Sequence, residues 1–94
     1  MTAYFVASIS SHDQSWLATY GAMVPAIVRR HGGELVCRSE EFKCYEGGND
    51  SPDYVVILTF PSMQAIDAFM NDPEYEPYKK ARLDCATSDV FAIR

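Results

Sequence analysis

The order of apolar segments is the feature that most limits how this chain folds. An apolar strand, a helix that ends at His31-Gly32-Gly33 and a second strand come first. A third strand, the tripeptide Phe60-Pro61-Ser62, a helix and a last strand then repeat that order. Two successive strand–helix–strand units predict one sheet that is crossed by helices.

Hydrophobic periodicity and turn residues set the predicted elements. Ser11 and Gln14 have the spacing of a capping box, which places the start of the first helix near Ser11. Pro25 lies inside that helix, where its ring clashes with the Gly21 carbonyl and predicts a kink. The predicted strands cover 4–10, 34–38 continued through 42–46, 54–60 and 90–93; the later helices follow Ser62 and cover 74–86.

Alternation along the second strand predicts which face of the sheet each of its side chains occupies. Strand alternation places Val36 with Arg38 on one face and Leu35 with Cys37 on the other, buried face. The segment 39–41 interrupts the apolar pattern and predicts a bulge, and residues 47–52 form a predicted turn.

This element order predicts an α+β, ferredoxin-like βαββαβ fold. Right-handed crossovers give a four-stranded antiparallel sheet with the helices on one face. The other face carries apolar residues of the first and third strands, so we predict a twofold dimer in which two sheets cover each other. A cavity between sheet and helices, or inside the paired sheets, follows from this arrangement.

Size and charge exclude several classes of protein. The 94 residues predict a single domain over 1–94, and apolar runs are too short to span a bilayer. The net charge of −5 and the small basic groups argue against nucleic-acid binding. The first residues do not resemble a secretory signal, and three cysteines without CxxC spacing suit reduced thiols, so we expect a cytoplasmic protein.

Several short segments together resemble one family. They are His31-Gly32-Gly33 with Arg38, Glu46-Gly47, Phe60-Pro61-Ser62, Asp72-Pro73-Glu74-Tyr75 and Arg82. In their joint spacing the chain resembles the DUF1330 family, small proteins of unknown function in the dimeric α/β-barrel superfamily. The resemblance implies a ferredoxin-like fold and a homodimer. That superfamily also contains cofactor-independent monooxygenases, haem proteins, isomerases and stress-responsive barrels, so fold alone assigns no activity. In the family glycines usually follow the strand-two arginine, whereas here Ser39, Glu40 and Glu41 follow Arg38.

Arg38 is the first candidate for a ligand contact. A guanidinium held partly out of water needs an anionic partner, and a bound carboxylate or phosphate provides one. The alternative is a structural ion pair with Glu46 or another acid, or a dimer contact.

Four further residues complete the predicted ligand-binding site: Tyr20, Glu46, Tyr75 and Arg82. Tyr20 lies on the core stripe of the first helix and either points its hydroxyl into the cavity or packs in the core. Tyr75 and Arg82 lie two turns apart and either close one end of the cavity or fix a loop against the sheet. His31 is interpreted as a helix C-terminal cap rather than a base, and Asp67, Asp72 and Glu74 as ordinary solvated acids.

No residue pattern predicts a cofactor or a metal. Gly47-Gly48 is interpreted as a turn rather than a phosphate loop, and there is no His-x-x-x-His motif or Cys/His cluster. Three hypotheses stay open. The chain binds a small acidic or aromatic molecule in its cavity, or it is a cofactor-independent enzyme such as a monooxygenase or isomerase, or it is a structural or stress-associated dimer without ligand. For the enzyme, only Tyr20, His31 and Glu46 are candidates for acid–base chemistry.

Overall fold

The computed structural model describes residues 1–47 and 52–94, which contain four strands and three helices. In chain order they are β1 (Ala3–Ser11), α1 (Leu17–Arg30), β2 (Glu34–Ser39), β3 (Tyr54–Phe60), α2 (Met63–Met70), α3 (Glu76–Cys85) and β4 (Ala86–Ile93). The predicted turn at 47–52 falls mostly on residues 48–51, which lie outside the described residues.

The strands form one antiparallel sheet in the order β2-β3-β1-β4. The most apolar strands, β1 and β3, are central, since a strand paired on both edges and covered on one face gains most from apolar side chains. The predicted ferredoxin-like α+β fold is confirmed.

The core lies on one face of the sheet, between the sheet and the helices. Along β1 the side chains alternate, so that Phe5, Ala7 and Ile9 are buried while the intervening residues are more exposed. The buried helix residues belong to the same cluster: Val24, Ile27 and Val28 of α1, and Ile66 and Phe69 of α2. Because all of them pack on the Phe5 face, all the helices that contribute to the cluster cover that face.

The reversal after α1 needs two glycines. His31 caps the helix as predicted, and Gly32 follows with φ of +80°, a conformation that favours glycine. Gly33 donates a 2.9 Å hydrogen bond to the Val28 carbonyl. A Cβ atom at Gly33 would lie 2.5 Å from Val28 Cγ1 and 2.8 Å from the Phe60 ring, so β2 enters the sheet only because this side chain is absent.

The first helix begins later than its capping box predicts. Ser11 is the last residue of β1 and donates its N–H to the Asp53 carboxylate at 2.7 Å. The next two N–H groups, of His12 and Asp13, donate to the Cys85 carbonyl at 2.9 and 3.1 Å. These long-range hydrogen bonds keep the chain extended, and α1 starts only after Trp16, without a side-chain cap.

The bulge of β2 is also displaced from its predicted position. It lies between Leu35 and Cys37, with Val36 as the additional residue, rather than at 39–41. The strand ends at Ser39, and residues 42–46 do not resume it.

This shift of the bulge changes the face on which Arg38 lies. Leu35 pairs with Leu58 and Arg38 pairs with Val56. Leu58 and Val56 are two residues apart and share a face, so Leu35 and Arg38 share it too. The predicted grouping of Arg38 with Val36 is therefore wrong, and so is the predicted burial of Cys37, which is exposed in the chain.

The last two elements differ modestly from prediction. Helix α3 begins at Glu76, and Pro77 occupies its first turn, where no intrahelical N–H is required. Strand β4 begins at Ala86, which pairs with Ser11, four residues before the predicted start. In the part of the chain that the structure describes, no helix combines the length and apolarity needed to cross a bilayer.

Candidate functional site

A cavity of about 640 Å³ lies between the sheet and α1. Its apolar walls come mainly from β1, α1 and β3 and include Phe5, Ile9, Val24, Val28, Val56 and Leu58. The exposed lining residues belong to α1 and β2, so the mouth of the cavity lies between these elements: Gly21, Pro25, Arg29, Glu34, Leu35 and Arg38.

Four of the five predicted site residues line this one cavity. Tyr20 comes from α1, Arg38 from β2, Tyr75 from the segment before α3, and Arg82 from α3. Glu46 does not: it is exposed in the segment after β2 and is absent from the cavity wall.

Arg82 is the buried charge of the cavity, with 4% of its surface exposed. It lies in the last turn of α3, where the unpaired carbonyls of a helix C-terminus favour a cation. Its Nη1 donates a 2.6 Å hydrogen bond to Ser88 Oγ on β4. Within residues 1–47 and 52–94 it forms no ion pair with a carboxylate. A guanidinium carries five N–H donors, so the cavity contains a buried cation whose hydrogen-bonding capacity is largely unused.

Tyr20 and Tyr75 form a hydroxyl pair next to this charge. Their oxygen atoms lie 2.7 Å apart, and the Tyr75 ring stacks on Phe69 with 4.3 Å between centroids. Burial, and then the neighbouring Tyr75, raises the pKa of Tyr20 far above its ordinary value of 10.0, while the charge of Arg82 acts in the opposite direction. One hydroxyl donates to the other, which leaves the second O–H free to donate elsewhere.

Arg38 lies at the mouth, stacked on an aromatic ring. Its guanidinium carbon is 4.1 Å from the centroid of the Tyr54 ring. Burial raises the pKa of the Tyr54 hydroxyl, and the charges of Arg38 and Arg82 oppose that shift. The alternative of an ion pair between Arg38 and Glu46 is not realised. A cation–π contact leaves the N–H edge of a guanidinium able to bind an anion.

Tyr54 is a residue that the sequence analysis did not select. It is the first residue of the most apolar strand, a position that predicts burial in the core rather than a role in a site. Alternation along β3 places Tyr54, Val56 and Leu58 on one face, and all three line the cavity. This alternation is the sequence pattern from which the position of Tyr54 could have been predicted.

Hydrogen-bond donors dominate the polar lining of the cavity. It contains three guanidinium groups and three tyrosine hydroxyls, from Arg29, Arg38, Arg82, Tyr20, Tyr54 and Tyr75. Among the described lining residues Glu34 carries the one carboxylate, and it is exposed at the mouth. His31 is not part of the lining, and the described residues contain no cluster of potential metal ligands. The cavity is therefore suited to a ligand that accepts hydrogen bonds and carries negative charge.

A separate charged cluster joins α1 to the loop between α2 and α3. Asp72 Oδ2 accepts hydrogen bonds from His31 Nε2 at 2.7 Å and from Arg30 Nη2 at 2.6 Å, and Arg30 Nη1 donates to Glu74 at 2.7 Å. The Asp72 side chain is 10% exposed, so the prediction that it is an ordinary solvated acid is wrong. The hydrogen bond from His31, and then the N–H of Glu74, lowers the pKa of Asp72 to about 2.

We expect Asp72→Asn to destabilise the protein at neutral pH but not in acid. The carboxylate stabilises the fold fully above its ordinary pKa of 3.8, and this contribution disappears as pH falls towards the folded-state pKa of about 2. Urea unfolding of the unaltered chain and of Asp72→Asn is measured from pH 7 to pH 2. The difference between their free energies of unfolding is expected to disappear at the acid end. Asp67→Asn, on the exposed side of α2, is the matched control. A difference in the free energy of unfolding that stays constant with pH would contradict the stabilising role of the Asp72 carboxylate.

Three solved structures place this geometry among known folds. RPA0582, a protein of unknown function from Rhodopseudomonas palustris, is similar with a TM-score of 0.81 and 20% identity over 98% of this chain and 80% of that chain. SnoaB, a cofactor-independent oxygenase from Streptomyces nogalater, is similar with a TM-score of 0.70 and 18% identity over 99% of this chain and 91% of that chain. A dimeric ferredoxin-like protein of unknown function from Jannaschia sp. CCS1 has a TM-score of 0.67 and 12% identity over 100% of this chain and 99% of that chain. At these identities the likeness shows the fold alone.

No curated protein matches the chain. The family described as "Domain of unknown function (DUF1330)" matches residues 2–94, which is almost the whole sequence, in agreement with the resemblance carried by its short segments. The chain therefore belongs to the DUF1330 family.

Proposed function

We propose that this protein binds a small organic anion with an apolar, ring-sized body in the cavity between α1 and the sheet. The observation that carries the proposal is Arg82, a buried guanidinium in the cavity wall with one hydrogen bond and no carboxylate partner in the described part of the chain. A buried charge without a partner is costly, and a bound carboxylate or other anionic oxygen offsets that cost.

The remaining wall fits the same ligand. A volume of about 640 Å³ lies within the range of about 300–1,000 Å³ that is typical of small-molecule sites. Aliphatic and aromatic side chains cover the body of the ligand, while the free tyrosine hydroxyl and Arg82 meet its charged end. Arg38 and Tyr54 offer a flat surface at the mouth.

Binding is better supported than proton-transfer catalysis. Of the three candidate acid–base residues, Tyr20 alone lines the cavity, and its pKa, which burial raises above the ordinary 10.0, disfavours its action as a base near neutral pH. His31 is held by Asp72 outside the cavity, and Glu46 is exposed. The hypothesis of a dimer without ligand expects a cavity filled by side chains. This cavity instead has open volume beside Arg82, which has no carboxylate partner among the described residues.

Calorimetric titration of the full chain with 1-naphthoate tests the proposal. Its carboxylate suits Arg82 and its rings suit the apolar walls, and neutral 1-naphthamide is the matched control of nearly equal shape. We expect saturable binding of the acid and at least roughly tenfold weaker binding of the amide, since hydrogen bonds to charged groups contribute about 1.5–3 kcal/mol. Equal affinity for the two, or no binding of either, would contradict the proposal.

We also propose that the protein is a homodimer formed through the outer face of the sheet. Phe91 and Ile93 are 53% and 55% exposed, and the register sets them beside Val6 and Tyr4. This apolar surface lies opposite the helices, and a related fold of similar size is that of a dimeric protein.

Light scattering tests the dimer. The expected mass is about twice 10.6 kDa at micromolar concentration, and Phe91→Lys is expected to lower it towards the monomer. Leu83→Lys is the matched control, since Leu83 is 57% exposed but lies on α3, away from this face. A mass near 10.6 kDa for the unaltered chain would overturn the proposal.

The cytoplasm is the proposed location. The three cysteines are unpaired, which suits a reducing compartment. The net charge of −5 disfavours a nucleic-acid partner. Fractionation of cells that produce the protein checks this assignment.

A further inference from the structure

Two residues of α1 that line the cavity are poor helix formers. Gly21 and Pro25 lie four residues apart, about one helical turn, so both face the cavity from the same side of α1. Glycine and proline inside a helix are both unfavourable relative to alanine, proline more so. Their joint presence at the mouth of the cavity therefore needs an explanation.

Proline changes the hydrogen bonding of the glycine. In a regular helix the N–H of residue 25 would donate to the carbonyl of Gly21, but Pro25 has no N–H. Among the described residues no side chain donates to the Gly21 carbonyl either. Because Gly21 has no side chain, its part of the cavity wall is formed by backbone atoms. The carbonyl of this residue lacks its regular partner, whereas the other polar groups of the wall are mainly donors.

Nothing in the backbone or the packing requires glycine at position 21. Its φ is not positive, in contrast to Gly32 and Gly47. A Cβ atom built on Gly21 would meet no atom within 4 Å, so no neighbouring side chain needs the space. With glycine at this position, no side chain separates the backbone of residue 21 from the cavity.

We propose that the Gly21 carbonyl accepts a hydrogen bond from a hydroxyl or N–H group of the ligand. The inference rests on the proposed anion binding and narrows its ligand class to hydroxylated ring acids. Such a molecule presents its carboxylate to Arg82 and the tyrosine hydroxyls, and its hydroxyl donor to α1.

The experiment compares 1-naphthoate with its ring-hydroxylated isomers on the full chain. At least one isomer is expected to bind roughly three- to tenfold more tightly than 1-naphthoate, which is the gain of one added hydrogen bond. The corresponding methoxy compound accepts but cannot donate, and it is expected to lose this gain.

Pro25→Ala gives the decisive variant. The new alanine N–H can donate to the Gly21 carbonyl and compete with the ligand, so the affinity ratio of the hydroxylated acid to 1-naphthoate is expected to fall to about one. The ratio is the readout, because it is independent of any change in overall affinity.

The results separate this inference from the function on which it rests. If 1-naphthoate binds and no isomer gains affinity, or if the gain survives in Pro25→Ala or in the methoxy compound, the inference is overturned and the anion site stands. If 1-naphthoate does not bind, the proposed function fails and this inference fails with it.

Discussion

Replacing Arg82 with methionine is expected to stabilise the unliganded protein while it removes the binding of 1-naphthoate. Methionine matches much of the length of the arginine side chain but carries no charge. Replacement of a whole buried ion pair by apolar residues is often neutral or stabilising, by about 1–4 kcal/mol. Removal of a single buried charge that lacks a carboxylate partner is expected to act in the same direction, because the cost of desolvating the charge disappears. The lost hydrogen bond to Ser88 Oγ offsets part of that gain. Affinity for 1-naphthoate is expected to fall at least roughly 10- to 100-fold.

Urea unfolding and calorimetry on the same preparations check both halves of this prediction. Protein concentration must be equal throughout, because association makes apparent stability depend on it. Arg82→Lys retains the charge without the planar fork and is expected to keep part of the affinity. Ser88→Ala is the control for the hydrogen bond alone. If Arg82→Met lowers both stability and affinity, Arg82 is primarily a structural residue, and the proposed role as ligand anchor is lost.

Replacement of glycine by alanine is expected to destabilise the protein at position 33 and to stabilise it at position 21. Gly33→Ala forces a methyl group to within 2.5 Å of Val28 Cγ1 and 2.8 Å of the Phe60 ring, and overpacking of this kind costs about 1–3 kcal/mol. Both neighbours are buried in the core, so neither has free space to move into. Gly21→Ala meets no atom within 4 Å and is expected to stabilise the helix by about 0.5–1 kcal/mol.

Thermal and urea unfolding of the two variants beside the unaltered chain measure this difference. The pair is internally controlled, since each variant adds one methyl group and removes the same backbone freedom from the unfolded chain. A loss of stability in Gly21→Ala, or none in Gly33→Ala, would show that the packing around α1 and β2 differs from the one described.

These predictions connect stability with the site. Arg82, Gly21 and Pro25 each line the cavity, and each is a residue that general principles associate with lower stability at its position. Residues that weaken a fold are expected to concentrate where a ligand uses them. The core face of β1, in contrast, follows every local rule.

The fold was predictable because it depends on local patterns that repeat. The apolar alternation of Phe5, Ala7 and Ile9, the Ser62 cap and the Gly32 reversal each act within a few residues of the chain. The predicted helix start at Ser11 was wrong because the hydrogen bonds that hold this segment extended come from Asp53 and Cys85, which are distant in sequence. No local pattern reports such partners.

The candidate site was predictable only in part. Tyr20, Tyr75, Arg38 and Arg82 were selected by residue type and spacing, and all four line one cavity. Their relative importance was not predictable, since the strand position of Arg38 predicts the better anchor there, whereas Arg82 is the buried one.

The sequence by itself determined the order of strands and helices, the apolar face of β1 and the family, because these follow from residue type and short spacings. Tertiary structure alone decided which face Arg38 occupies, through a bulge set by pairing with β3. It also decided that Arg82 is buried without a carboxylate partner in the described chain, and that Gly21 lines the same cavity. Burial and partnership are properties of side chains brought together from distant positions, so no local pattern contains them.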